Sequence, residues 1–214
     1  MKLYGIDDAK TYLERKEDLD VLDQSMLNTL SYLESLDMHG HAMPEYGRIE
    51  LSVRGRYSFM MNIEFDAERK TAAATVTMPM ACVEEKRAVV GELLHRINFI
   101  TVLGQWRLDP NDGECKIRYI HYIGDNAMSV HQAERMIDIC LFEVHRYEDT
   151  VIPLMMGREP ESEKSCIEYK MMTGEDHGLD GLRQILLNEL TKRRKQRAAD
   201  EISDTDDEDD GEDE

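Results

Sequence analysis

Residues 84–157 read EEKRAVVGELLHRINFITVLGQWRLDPNDGECKIRYIHYIGDNAMSVHQAERMIDICLFEVHRYEDTVIPLMMG, and their punctuation decides the fold. Val90, Leu93, Leu94 and Ile97 recur at helical spacing, which predicts a helix over 84–100. Glu84 and Glu85 stand at its N-terminal end, where the helix dipole favours negative charge. A short strand follows over 104–108. Asp109-Pro110-Asn111-Asp112-Gly113 then has the chemistry of a hairpin turn, because Pro presets φ and Gly permits positive φ. Cys115, Ile117, Tyr119 and His121 alternate with Lys116, Arg118 and Ile120 in the return strand, which Gly124-Asp125-Asn126 closes. Ser129 and Gln132 form a capping box. Ala133, Met136, Ile137, Cys140, Leu141, Val144, Tyr147 and Val151 continue the last core helix to the neighbourhood of Pro153, with Gly157 as its stop.

Upstream, residues 1–19 are polar and weakly patterned, with a short helix expected near 8–15. Leu22, Met26, Leu30 and Leu33 form one stripe of a helix over 20–36, ended by His39-Gly40. Ile49, Leu51 and Val53 alternate with Glu50, Ser52 and Arg54. Tyr57, Phe59, Met61, Ile63 and Phe65 alternate more strongly still. Residues 66–70 make a turn, and the Thr- and Val-rich run 71–80 is the third strand of a local meander. The expected architecture is therefore α+β, in the order α-β-β-β-α-β-β-α over 20–157, an antiparallel sheet packed by helices. Residues 158–178 read as a linker. Leu182, Ile185, Leu186 and Leu190 place an amphipathic helix over 179–197. The last segment, 198–214, is low-complexity and too polar to bury a core, so it reads as a disordered acidic tail.

The net charge of −19 is uneven. Residues 200–214 hold eleven acids and no base, which leaves −8 on residues 1–199. Just before them Lys192, Arg193, Arg194, Lys195 and Arg197 put five bases into six residues. An acidic body repels phosphate backbones, which argues against general nucleic-acid binding. The adjoining acids neutralise the basic run most simply. An electrostatic latch between run and tail is the sharper reading, tested by whether deleting 200–214 tightens retention on an anionic matrix at low salt. Cys82, Cys115, Cys140 and Cys166 are widely spaced, without a CxxC pair, which suits free thiols in a reducing cytosol. No apolar leader or run of membrane-spanning length is visible, so the expected location is cytoplasmic.

The order and spacing of several short motifs carry a resemblance. They are Met78-Pro79, Glu85-Lys86-Arg87, Leu93-Leu94 followed by Arg96-Ile97-Asn98, the stretch 104–109, Gly113, and the Arg146-Tyr147 helix running to Pro153 and Gly157. Over 20–157 the chain resembles YbjN-like proteins, which share the fold of bacterial type III secretion chaperones. The resemblance implies a small acidic protein, often a dimer, that binds extended segments of another protein or acts as a regulator. It supplies no catalytic residues. The helix over 179–197, the basic run and the acidic tail lie outside it.

Candidate sites follow from residue chemistry. His39 and His41 offer two imidazoles, short of the three or four ligands zinc requires. His95, His131 and His145 stand near Glu92, Glu134 and Glu148, but such pairs at helical spacing are ordinary on a helix surface. The turn 109–113 lacks calcium-loop spacing, since its glycine is fifth rather than sixth and Ile120 occupies the twelfth position. No catalytic, cofactor or metal site is assigned. The fourteen methionines include adjacent pairs, so some must leave the core face, and flexible Met suits adaptable binding surfaces. Met61, Met78 and Met80 are therefore expected at a partner groove, with core filling as the plainer account. Trp106 is a candidate anchor, although its alternation with Leu108 points to burial. Leu182 and Leu186 would add an apolar face for a partner or a second copy.

These observations favour a non-enzymatic protein-binding module, chaperone-like or regulatory, that takes an apolar segment of a partner protein and can form a homodimer. The alternative is an acidic-tailed regulator of a nucleic-acid-associated complex that uses the run 192–197.

Overall fold

A computed structural model describes residues 2–158, apart from 37 and 55. The described chain runs β1 (Tyr4–Gly5), α1 (Ile6–Glu14), α2 (Val21–Ser35), β2 (Gly40–Met43), β3 (Arg48–Arg54), β4 (Ser58–Asp66), β5 (Thr71–Thr77), α3 (Arg87–Ile100), β6 (Gln105–Leu108), β7 (Cys115–Tyr122) and α4 (Val130–Met155). Its strands form one seven-stranded sheet in the order β1-β2-β3-β4-β5-β7-β6, with every neighbouring pair antiparallel. The expected α+β class and core order are present, with β1 and β2 added and with α1 close to the short helix expected near 8–15. No described helix is long and apolar enough to cross a membrane.

Period-2 alternation sets the two faces of the sheet. Leu51, Met61, Val76, Ile117 and Trp106 lie side by side in one row across β3, β4, β5, β7 and β6, and all five are buried. Ile49, Ile63 and Ala74 form the next buried row. α2 packs on β4, and α4 on β5 and β7, through Met26, Leu30 and Leu33 of the first and Ala133, Met136, Ile137, Cys140 and Val144 of the second. Met60, one residue from Met61, points the other way and is exposed.

Three boundaries move. The N-terminal segment does not stand apart from the 20–157 unit: Tyr4 pairs with Ala42, and Ile6, Ala9 and Leu13 of α1 are buried. One apolar side chain every third or fourth residue suffices for a helix laid against α2. His39 and His41 flank Gly40, and β2 begins there rather than a loop. A Cβ on Gly40 would stand 2.4 Å from the Glu50 oxygen, so β2 approaches β3 too closely for a larger residue. The third strand ends at Thr77 and not at residue 80.

The hairpin turn and caps form as their residues predict. Gly113 has φ +81°. Asp109 Oδ1 accepts from the Asn111 N–H at 2.8 Å. Ser129 and Gln132 make the reciprocal capping box. Immediately before α4, Ser25 Oγ accepts from Met128 N–H at 2.9 Å, and Asn28 Nδ2 donates to Met128 O at 2.7 Å. These bonds pin the start of α4 to α2.

Candidate functional site

The last turn of α3 and the residues after it are a region where adjacent apolar side chains are exposed, two of them almost fully. Val90, Leu93, Leu94 and Ile97 point inward, and Ile97 is the last to do so. Phe99 is 88% exposed and Val102 93% exposed, with Ile100 partly exposed between them. The helix ends at Ile100 and the chain reverses through Thr101 to Gly104, whose φ of +81° a side chain would resist. Val102 therefore sits on the outside of a bend.

A groove of about 580 Å³ lies between residues 100–103 and the outer face of α4. Ile139 and half-exposed Phe142 supply the apolar part of the α4 wall, and His131, Glu134, Arg135, Asp138, Glu143 and Arg146 surround them. These positions repeat at three and four residues, so they form one helical face. The volume is in the range of ordinary ligand and side-chain pockets.

Glu143 is the unusual member of the groove. It is 7% exposed and accepts a hydrogen bond from Thr101 Oγ1 at 3.3 Å. Burial raises its pKa, while the Arg146 charge and the Thr101 bond pull it down by less. A cation or hydrogen-bond donor brought in by a ligand would satisfy this carboxylate. Asp138 is already engaged, accepting from Tyr32 Oη at 2.9 Å.

The strand beside the groove is sealed. β6 is an edge of the sheet, where unpaired N–H and C=O groups invite another strand. The Asn98 side chain closes that edge at its middle. Its Oδ1 accepts from Trp106 N–H at 2.8 Å, and its Nδ2 donates to Trp106 O at 2.9 Å. Strand addition at Trp106 would have to displace both bonds, so side chains rather than backbone remain to recognise a ligand here. Asn98, part of the Arg96-Ile97-Asn98 motif, thus guards an edge.

The residues expected to bind a partner are distributed differently. Met61, Met78 and Trp106 are buried, and Met80 is half-buried just beyond β5. Met61 and Trp106 belong to the row under the helices, and Trp106 meets the Tyr147 ring edge-on at 6.4 Å. The plainer core-filling account holds for these three, because the helices cover the face to which they point. Leu182, Leu186, Lys192, Arg193, Arg194, Lys195 and Arg197 lie outside the described residues. Sequence reading passed over Phe99 and Val102. The available signal was Phe99 and Ile100 following Ile97 off the buried stripe, immediately before a Gly-ended bend.

The described histidines do not converge. His131 Nδ1 meets Glu134 at 2.8 Å and His145 Nδ1 meets Glu148 at 3.3 Å, each within one turn of α4. Among the described residues no three of His, Cys, Asp or Glu group to hold a metal ion. Burial pushes the Cys115 and Cys140 thiols up to about 12 and raises Cys82, which keeps all three protonated at neutral pH.

No family model matches the chain, and no curated protein matches it. Solved structures do align with it. One is the HopA1–SchA chaperone–effector complex, at 13% identity and a TM-score of 0.40, covering 55% of this chain and 87% of that one. Another is the crystal structure of YbjN from E. coli, also at 13% identity and a TM-score of 0.40, covering 55% of this chain and 89% of that one.

Proposed function

We propose that the protein is a non-enzymatic protein-binding module, chaperone-like or regulatory, and that its site is the groove between residues 100–103 and α4. The occupant is an apolar segment of a partner protein that carries a lysine or arginine. The observation that carries this reading is the exposure of Phe99 and Val102, 88% and 93%, beside a groove with Ile139 and Phe142 in its wall. Isolated exposed apolar residues are ordinary, whereas a cluster beside a concavity marks an interaction surface. Apolar contact supplies affinity, and the shielded Glu143 supplies selectivity for a basic side chain. Met61, Met78 and Trp106 support the site from beneath by fixing the sheet. A homodimer through the same patch and a cytoplasmic location belong to this proposal.

The test compares the wild-type chain with a Phe99→Ser, Val102→Ser variant. Partners captured from cell extract are identified by mass spectrometry, and the strongest is rebound as a purified protein. Retention by wild type and loss by the variant support the reading. Equal retention by both overturns it. Sedimentation of the two proteins distinguishes the remaining occupant, because a dimer that becomes a monomer in the variant makes the patch a contact between copies. The nucleic-acid alternative rests on 192–197 and gains no observation from the described residues.

A further inference from the structure

The face of the sheet opposite the helices has a basic half, in a chain of net charge −19. On β3 and β4 the outward charges are mixed: Arg48, Glu50 and Arg54 stand with Glu64, and Arg48 Nε lies 3.1 Å from Glu50 Oε1. On β5, β7 and β6 the outward positions include Arg107, Lys116 and Arg118 and no acid. The register places Thr77, Lys116 and Arg107 side by side, with Thr75, Arg118 and Gln105 in the adjoining row. Glu114, at the margin, pairs with Lys116. Arg107 donates to Gln105 Oε1 at 3.2 Å. Arg118 is central, and its enclosed Nε has no hydrogen-bond partner among the described residues. Neither Arg107 nor Arg118 has an ion-pair partner among the described residues.

We propose that this half of the face, centred on Arg118 and bounded by Arg107, Lys116, Thr75, Thr77 and Gln105, binds an extended acidic segment of a partner protein. The site is independent of the groove, which lies by α4 on the other side of the sheet. Three features select this ligand. Lys116 and Arg118 are two residues apart on one strand, so their Cα atoms are about 6.7 Å apart, the repeat of same-side side chains in an extended peptide. Carboxylates at alternate positions of such a peptide therefore match both bases at once. The guanidinium of Arg118 takes a carboxylate through charge-assisted N–H bonds from its terminal nitrogens. The Thr75 and Thr77 hydroxyls and the Gln105 amide are donors for the remaining oxygens. Nucleic acid fits less well. Unpaired bases need aromatic platforms, and the aromatic residue on these outward positions is Tyr122, well along β7 from Arg118. The overall negative charge also opposes a polyphosphate more than a short acidic peptide.

The test is fluorescence anisotropy of a labelled peptide alternating glutamate and threonine, titrated with the full chain at low and at moderate salt. Parallel arms use the same peptide with glutamine for glutamate, and a single-stranded oligonucleotide. The glutamate peptide is expected to bind and to weaken with salt. Arg118→Gln should weaken it about tenfold, the size of one charge-assisted contact, and Arg118→Lys by less. Arg54→Gln removes the same charge from the β3 end and should change affinity by less than about twofold, in keeping with screening beyond a Debye length. Thermal melts confirm that each variant is folded. Absence of binding, equal binding of the glutamate and glutamine peptides, or equal loss in Arg118→Gln and Arg54→Gln overturns the proposal. So does tighter binding of the oligonucleotide that is lost in Arg118→Gln, which would make the face a nucleic-acid site.

Discussion

The two ends of α3 are built on opposite terms. At the N-terminal end, Arg87 Nη1 donates to Pro110 O at 3.1 Å and Asn111 O at 2.8 Å, and Arg87 Nε donates to Cys82 O at 3.3 Å. Cys82 N–H donates to Gly113 O at 2.8 Å, and Val83 N–H donates to Met155 O at 2.9 Å. Helix, hairpin turn and the end of α4 are joined there through hydrogen bonds, the two to the turn exposed and those of Cys82 shielded. At the C-terminal end, among the described residues, Asn98 reaches across to the sheet through a side-chain pair, and the next apolar residues face water. The first end shows what this fold does with a helix terminus it needs for stability. The second end departs from that pattern, which is why its exposed side chains read as a surface held for a ligand.

The comparison can be broken first at Gly113. A Cβ there would stand 2.4 Å from Cys82 O, at a φ of +81°. Gly113→Ala should cost about 3 kcal/mol or more in urea unfolding, since both the backbone geometry and the Cys82 contact are lost. An effect below about 1 kcal/mol would mean that this end is not anchored as described. Next is Asn98→Ala, which leaves two Trp106 backbone groups without partners. A loss of about 2 kcal/mol is expected, with faster amide exchange at Trp106 as the local readout.

A smaller effect tests the groove through pH. Burial raises the Glu143 pKa, so the folded chain holds that proton to higher pH than the unfolded chain does. Its destabilising contribution is absent below the ordinary carboxylate range. It grows as pH rises through the raised pKa and is complete above it. Glu143→Gln should therefore melt about 2–4 °C higher than wild type at neutral pH, the shift that about 1 kcal/mol produces at this chain length, and converge with it in acid. A variant less stable at neutral pH would contradict the sign. The smallest stability effect belongs to the exposed end itself. Phe99→Ser with Val102→Ser should alter unfolding free energy by no more than about 0.5 kcal/mol, while partner capture falls. A large destabilisation would make these residues part of the core after all.

Local chemistry made much of the fold legible. The turn 109–113, the Ser129–Gln132 capping box and the alternation in β4 each depend on neighbours in sequence, and each formed as read. β1 and β2 escaped because strands of two and four residues carry too little alternation to stand out. α1 formed near the span expected for it, although the pattern there was weak. The methionine argument located flexible apolar residues but could not say which face the helices cover, and Met61 lies beneath them while Met60 does not.

The sequence by itself determined the α+β class, the order of the main elements and the uneven charge, because periodicity, turn residues and composition are properties of short stretches. The tertiary structure alone decided that Asn98 closes the β6 edge, that Glu143 is shielded and that Arg118 lies between Thr75 and Gln105. Each of these joins residues from different elements, and burial and register exist only once the sheet and helices have packed.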